Sequence, residues 1–156
     1  MSLDTNENVT WMSRALELAQ SSVNAGNHPF GALLVADGKI VLEAENTVIS
    51  EKDPTRHAEL NLVSLASKTL PSEILGKATL FASTEPCAMC SGAIYWVGLK
   101  SVVYGCPSKV LEEIAGPSLM CNSHTVFQHA IDPPKVRGPL LESEAIEQHK
   151  MYWKRL

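Results

Sequence analysis

No apolar run in this 156-residue chain reaches the roughly 20 residues that a membrane span requires, so no segment reads as transmembrane. The stretch from Met1 to Asn8 is polar and lacks the apolar core of a secretory signal. Internal repeats, low-complexity tracts, coiled-coil heptads and linkers are all absent, and a single domain over 1–156 is expected. Cysteine is sparse: there are four, and two of them form a Cys-x-x-Cys. That usage excludes a disulfide scaffold and points to a reducing compartment, so a cytoplasmic location is expected. Basic charge is also short, with 13 Lys and Arg against 17 Asp and Glu and a net charge of −4. The densest basic group, Lys150, Lys154 and Arg155, suits the last turn of a helix. No patch announces a phosphate backbone, so nucleic acid is disfavoured as a partner.

Hydrophobic residues make up 45% of the chain, ample for a core in a domain that buries roughly 70% of its unfolded surface. Trp11, Ala15, Leu18 and Ser22 recur at helical spacing, and the pattern predicts a helix over Val9 to Asn24, closed by Gly26. Phe30 to Ala36 and Lys39 to Glu45 read as strands around an Asp37-Gly38 hairpin turn. Asn46 to Asp53 reads as a polar loop. Pro54-Thr55 is expected to open a helix whose periodic part is Ala58 to Ser67. A strand at Ala78 to Ser83 runs into a helix from Cys87 to Val97, followed by a strand at Ser101 to Gly105. A short helix is expected around Lys109 to Ile114, a strand at Lys135 to Arg137 and a final helix at Glu142 to Lys154. The stretch from Gly116 to Pro134 carries the weakest pattern: one irregular helix and a loop. The strand–helix–strand alternation implies a right-handed crossover with a parallel pair, in an α/β sheet covered by helices on both faces.

The chemistry is concentrated in two short motifs, His57-Ala58-Glu59 and Pro86-Cys87-Ala88-Met89-Cys90. One imidazole and two thiolates make three protein ligands. That number suits a catalytic zinc, whose fourth position is left to water, whereas a structural site takes four. Cys87 and Cys90 lie one turn apart at a helix start, where the macrodipole and free amides favour the thiolate. Glu59, two residues past the histidine, is expected to stand beside the open position and handle protons there. His28, Cys106 and His124 are the candidates for a fourth ligand that would close the site. Cys106 and Cys121 otherwise read as small buried apolar residues, and His124, His129 and His149 as surface or core-edge residues. His28, just before Pro29-Phe30-Gly31, is a candidate substrate contact. So is Trp96, two turns past Cys90. Tyr152-Trp153 either packs the last helix on the sheet or offers an aromatic face across a dimer.

An H-x-E followed by P-C-x-x-C is the zinc deaminase signature. With Pro29-Phe30-Gly31-Ala32, Asn46, Asp53-Pro54-Thr55-Arg56-His57-Ala58-Glu59, Glu85-Pro86-Cys87-Ala88-Met89-Cys90 and Gly92-Ala93-Ile94-Tyr95-Trp96, the chain resembles the purine-acting branch of the cytidine deaminase-like superfamily. The resemblance covers roughly Val9 to Gly105. It implies a three-layer α/β/α fold with a five-stranded sheet, zinc on His57, Cys87 and Cys90, and Glu59 as proton shuttle. It also implies that the Ala58 amide and Asn46 meet the ring, that Phe30 belongs to the guanine deaminase version of the pocket, and that the protein is a homodimer. The expected reaction is hydrolytic removal of an exocyclic amine from a small heterocycle, a guanine-like purine base or nucleoside first. A tRNA adenosine, a cytosine or cytidine, a pterin or a triazine are the alternatives. A zinc-stabilised interaction module is the non-enzymatic reading. The acidic loop that guanine deaminases carry after the fourth strand has no counterpart in Gly116 to Ala130.

Overall fold

In the computed structural model, which describes residues 2–154, thirteen elements follow in order. They are α1 (Asn6–Asn24), β1 (Gly31–Ala36), β2 (Lys39–Glu45), α2 (Val48–Glu51), α3 (Ala58–Thr69), α4 (Ser72–Leu75) and β3 (Thr79–Thr84). The chain continues with α5 (Ala88–Val97), β4 (Ser101–Cys106), α6 (Ser108–Ala115), α7 (Ser123–Phe127), β5 (Lys135–Arg137) and α8 (Glu142–Trp153). The strands form one mixed sheet in the order β2-β1-β3-β4-β5. β1 pairs antiparallel with β2 and β3, while β3–β4 and β4–β5 are parallel. This is the expected α/β/α architecture.

The hairpin turn forms because Asp37 and Gly38 both take positive φ, 50° and 70°, the geometry that two-residue turns between twisted strands demand. On one face of the sheet, Met12, Ala15 and Leu18 of α1 bury Leu33, Phe81 and Val103. On the other, Leu62, Val63 and Ala66 of α3 and Ile94 of α5 cover Leu34, Leu80 and Val102. Both faces of the central strands are dry, so β1 is buried along its whole length and reads as a continuous apolar run. α1 lies so close to Gly31 that a Cβ there would stand 2.5 Å from the Ala15 carbonyl oxygen, so the glycine is a packing requirement.

Three boundaries differ from expectation for identifiable reasons. α1 starts three residues early because Thr5 caps it, its hydroxyl accepting the Asn8 amide at 3.2 Å. Asn46 to Asp53 is not all loop, since α2 occupies its centre. Asp53 Oδ1 accepts the Thr55 amide and hydroxyl, and this local turn delays the helix until Ala58. The stretch from 116 to 134 contains the one helix expected of it, α7, capped by Asn122, whose Oδ1 accepts from the Thr125 amide.

Candidate active site

His57 is the N-cap of α3 and Cys87 the N-cap of α5; Cys90 lies in the first turn of α5. The N-termini of α3 and α5 thus meet at the edge of the sheet where β3 ends and β1 begins. The His57, Cys87 and Cys90 ligand atoms all lie within 4.8 Å of one another, with Cys87 Sγ 3.5 Å from His57 Nδ1. Among the described residues, this is the group of three that comes together as a metal site. Two sulfurs and an imidazole nitrogen are zinc's preferred donors. The electrostatics fit a cation as well. The Cys90 thiol donates to Cys87 and, with His57, holds the Cys87 thiol down at about 4; the same shared proton pushes Cys90 up. These contacts favour the thiolate form of Cys87, the form that zinc takes.

None of the candidate fourth ligands reaches this group. Cys106 is fully buried with its thiol turned to the Pro107 carbonyl, and His124 is exposed on α7. His28 packs its ring against Trp153, centroids 5.5 Å apart and nearly parallel, while its Nδ1 stands 3.0 Å from the Tyr152 hydroxyl. It backs the wall of the cavity and does not line it.

Glu59 is 5% exposed and lines the same cavity of about 330 Å³ as His57 and Cys87. Burial, and then the negative charge on Cys87, pushes its carboxyl up from the ordinary carboxylate range. Phe30, at the entry to β1, contributes an aromatic surface. Its carbonyl accepts the Asn46 amide at 3.0 Å. Asn46 is buried beside it, its Oδ1 accepting from the Val48 amide. Ala58 is fully buried as the first residue of α3, where an amide has no intrahelical acceptor.

Trp96 is a correction. It projects from α5 with 84% of its surface exposed and does not line the cavity, because Cys90 and Ile94 occupy the inward stripe of the helix. Trp153 takes the aromatic place in the lining that was expected of Trp96. The last turn of α8 returns across the sheet and brings that indole into the cavity of its own chain. The weakly patterned segment 115–119 and Cys121 complete the opening, together with Leu111 and Glu112 of α6. Cys121 is therefore half-buried at the cavity, not a core residue. Glu85 pins this border in place: Oε2 accepts the Ser108 amide and hydroxyl at 3.0 Å, and Oε1 the Ser123 hydroxyl at 2.8 Å. The Glu112 carboxylate makes no hydrogen bond or ion pair with another described residue.

His149, expected at the surface or the core edge, is 1% exposed behind Trp153. Burial holds its imidazole down at about 4, against an ordinary 6.5. Between those values the unfolded chain binds a proton that the folded chain does not, so folding stability rises with pH through the window and falls as pH drops. The expected loss between about pH 6.5 and about pH 4 is roughly 3 kcal/mol. Urea unfolding of the wild type and His149→Asn at several pH values checks it. The difference between their stabilities should narrow over this window on acidification; a constant difference contradicts the buried neutral imidazole.

Residues 5–106 match the family described as the cytidine and deoxycytidylate deaminase zinc-binding region. A probable cytosine deaminase of Schizosaccharomyces pombe is 35% identical over 154 residues, covering 96% of this chain and 94% of that protein. The guanine deaminase of Bacillus subtilis is 47% identical over 96 residues, covering 61% and 62%. tRNA-specific adenosine deaminases are also among the relatives. The crystal structure of a point mutant of NE0047 in complex with 8-azaguanine superposes with a TM-score of 0.84 at 26% identity, over 95% of this chain and 85% of that one. A three-ligand thiolate–imidazole centre on this fold, in a chain matched over both metal motifs, makes the protein a member of the cytidine and deoxycytidylate deaminase zinc-binding family of hydrolytic deaminases.

Proposed function

We propose that the chain deaminates a small free nucleobase, guanine before other rings. The observation that carries this reading is the charge of the cavity. Its described lining holds three carboxylates, Glu59, Glu85 and Glu112, and no lysine or arginine. Apart from the metal, the lining offers a phosphate no cation, whereas proteins that hold a nucleic acid neutralise its backbone with basic side chains. A neutral base needs no such cation and meets aromatic surface from Phe30 and Trp153.

Zinc held by His57, Cys87 and Cys90 supplies Lewis-acid activation of water at neutral pH. The chain's own groups do the rest. Glu59 Oε takes a proton from the attacking water and delivers it to the ring nitrogen next to the amine-bearing carbon. Glu59 then takes the remaining proton from the hydroxyl added to that carbon and passes it to the departing amine. Water is consumed, the C–N bond breaks and ammonia leaves, so the product is an oxo ring. The raised pKa of Glu59 suits a group that must both accept and donate. The family resemblance assigns the ring edge to the Ala58 amide and the Asn46 side chain, both buried behind the residues that line the cavity. Glu112 accepts from a ring N–H on the far side, an acidic contact supplied from α6.

The purine preference is supported by the structural neighbour bound to 8-azaguanine, which spans 95% of the chain. Cytosine is the second reading. It is favoured because the similarity to the probable cytosine deaminase continues through α6 and α8, the elements that carry Glu112 and Trp153. Comparison of kcat/KM for guanine and cytosine tests the order, and a higher value for cytosine reverses it. The exposed Trp96, with Ile131 86% exposed, supports association with a second copy as a homodimer. No helix of the described residues is long and apolar enough to cross a membrane.

A further inference from the structure

His149 is a fully buried polar residue to which the reaction above gives no part. Its two ring nitrogens are both engaged. Trp153 Nε1 lies 3.1 Å from Nδ1, and Thr84 Oγ1 lies 2.7 Å from Nε2. An indole N–H only donates, so Nδ1 must be the unprotonated nitrogen and the proton sits on Nε2. Nε2 therefore donates to Thr84 Oγ1, which leaves the threonine's own hydrogen free to point elsewhere. Thr84 and Trp153 both line the cavity of His57 and Glu59, whereas His149 itself does not. The His149 ring also packs on Phe30, centroids 5.2 Å apart, so one imidazole touches three groups that line the cavity.

We infer that His149 is a positioning residue for the base. Its acceptor nitrogen holds the Trp153 indole as a wall, and its donor nitrogen fixes Thr84 as a hydroxyl that donates to an acceptor atom on the ring. The inference rests on the free-base reading for its substrate and on the His149 geometry for its mechanism. It also explains how the last described turn of the chain contributes a rigid wall: Trp153 is tied at its nitrogen from within α8 and stacked by His28 from behind.

Two near-isosteric variants separate the two bonds. Asparagine places an amide oxygen near the position of Nδ1, so His149→Asn keeps the indole acceptor and loses the Thr84 donor. Glutamine places an NH₂ near Nε2, so His149→Gln keeps the Thr84 donor and loses the indole acceptor. The readouts are the indole N–H resonance of Trp153, identified by its disappearance in Trp153→Phe, and the split between KM and kcat for the free base. The expected result is that His149→Gln moves the indole signal to its solvent-exposed position and raises KM on the order of tenfold, the worth of one hydrogen bond. His149→Asn keeps the signal and also raises KM. In both, kcat falls less than about threefold because the proton-transfer groups are untouched. An unmoved indole signal in His149→Gln, or a loss confined to kcat, overturns the inference. Should the His149 variants fail to fold, Trp153→Phe carries the test: it retains the ring but not the tether, and an unchanged KM overturns the inference. The indole signal needs no turnover, so a chain inactive on every ring refutes the substrate proposal while the His149 geometry is still judged.

Discussion

Glu59→Gln is expected to lower kcat by roughly 10⁴-fold while zinc content and fold are unchanged. The figure is the upper end of what one general acid–base residue supplies, because the same carboxyl serves two successive transfers. The substitution keeps the shape and a hydrogen-bonding oxygen but removes the ability to carry a proton. It also removes a buried carboxyl whose charged form is penalised by burial, so the variant should be at least as stable as the wild type. Metal analysis, thermal unfolding and kcat on one sample separate the outcomes. Retained turnover removes Glu59 from the mechanism, and lost zinc turns it into a ligand.

Cys87→Ala is expected to abolish both zinc and activity. Loss of a residue that merely orients a ligand costs roughly 10–100-fold in metal affinity, so loss of a ligand should exceed that range. Two donors, His57 and Cys90, remain, and the thiol whose surroundings most favour the thiolate is gone. Because zinc binds the folded chain, the wild type should also lose stability when a chelator removes the ion, and the variant should not respond. Competition against a chromophoric chelator measures the affinity. Wild-type zinc affinity in Cys87→Ala would mean that another side chain completes the centre.

The metal group was legible in the sequence because each half is local. His57 and Glu59 are two residues apart, Cys87 and Cys90 three, and each pair is fixed by one helix start. The register of His57 was less legible: Asp53 binds the Thr55 amide and hydroxyl, so the helix starts at Ala58 and His57 becomes its cap. The apolar periodicity of α1, the Asp37-Gly38 turn and the buried run of β1 carried most of the sheet, since each is dictated by neighbours in the chain. What was not legible depends on pairings far apart in sequence. Trp153 and Trp96 are both aromatic residues near the end of a helix, and nothing local distinguishes them; only the return of α8 across the sheet brings the first inside and leaves the second out. His149 carries no motif and is defined by Thr84, 65 residues away. Glu112 faces the cavity because Glu85 ties the start of α6 to the sheet edge. The weak pattern of 116–134 had a physical cause too: an exposed border around an opening needs no periodic apolar face.

The most direct test is turnover of guanine by the zinc-loaded protein in water enriched in oxygen-18, with ammonia and product mass both measured. The account predicts one ammonia per ring, with one heavy oxygen in the product, and it predicts that both vanish in Glu59→Gln. Full zinc occupancy without ammonia release from guanine, cytosine or any other free aminated ring would contradict it.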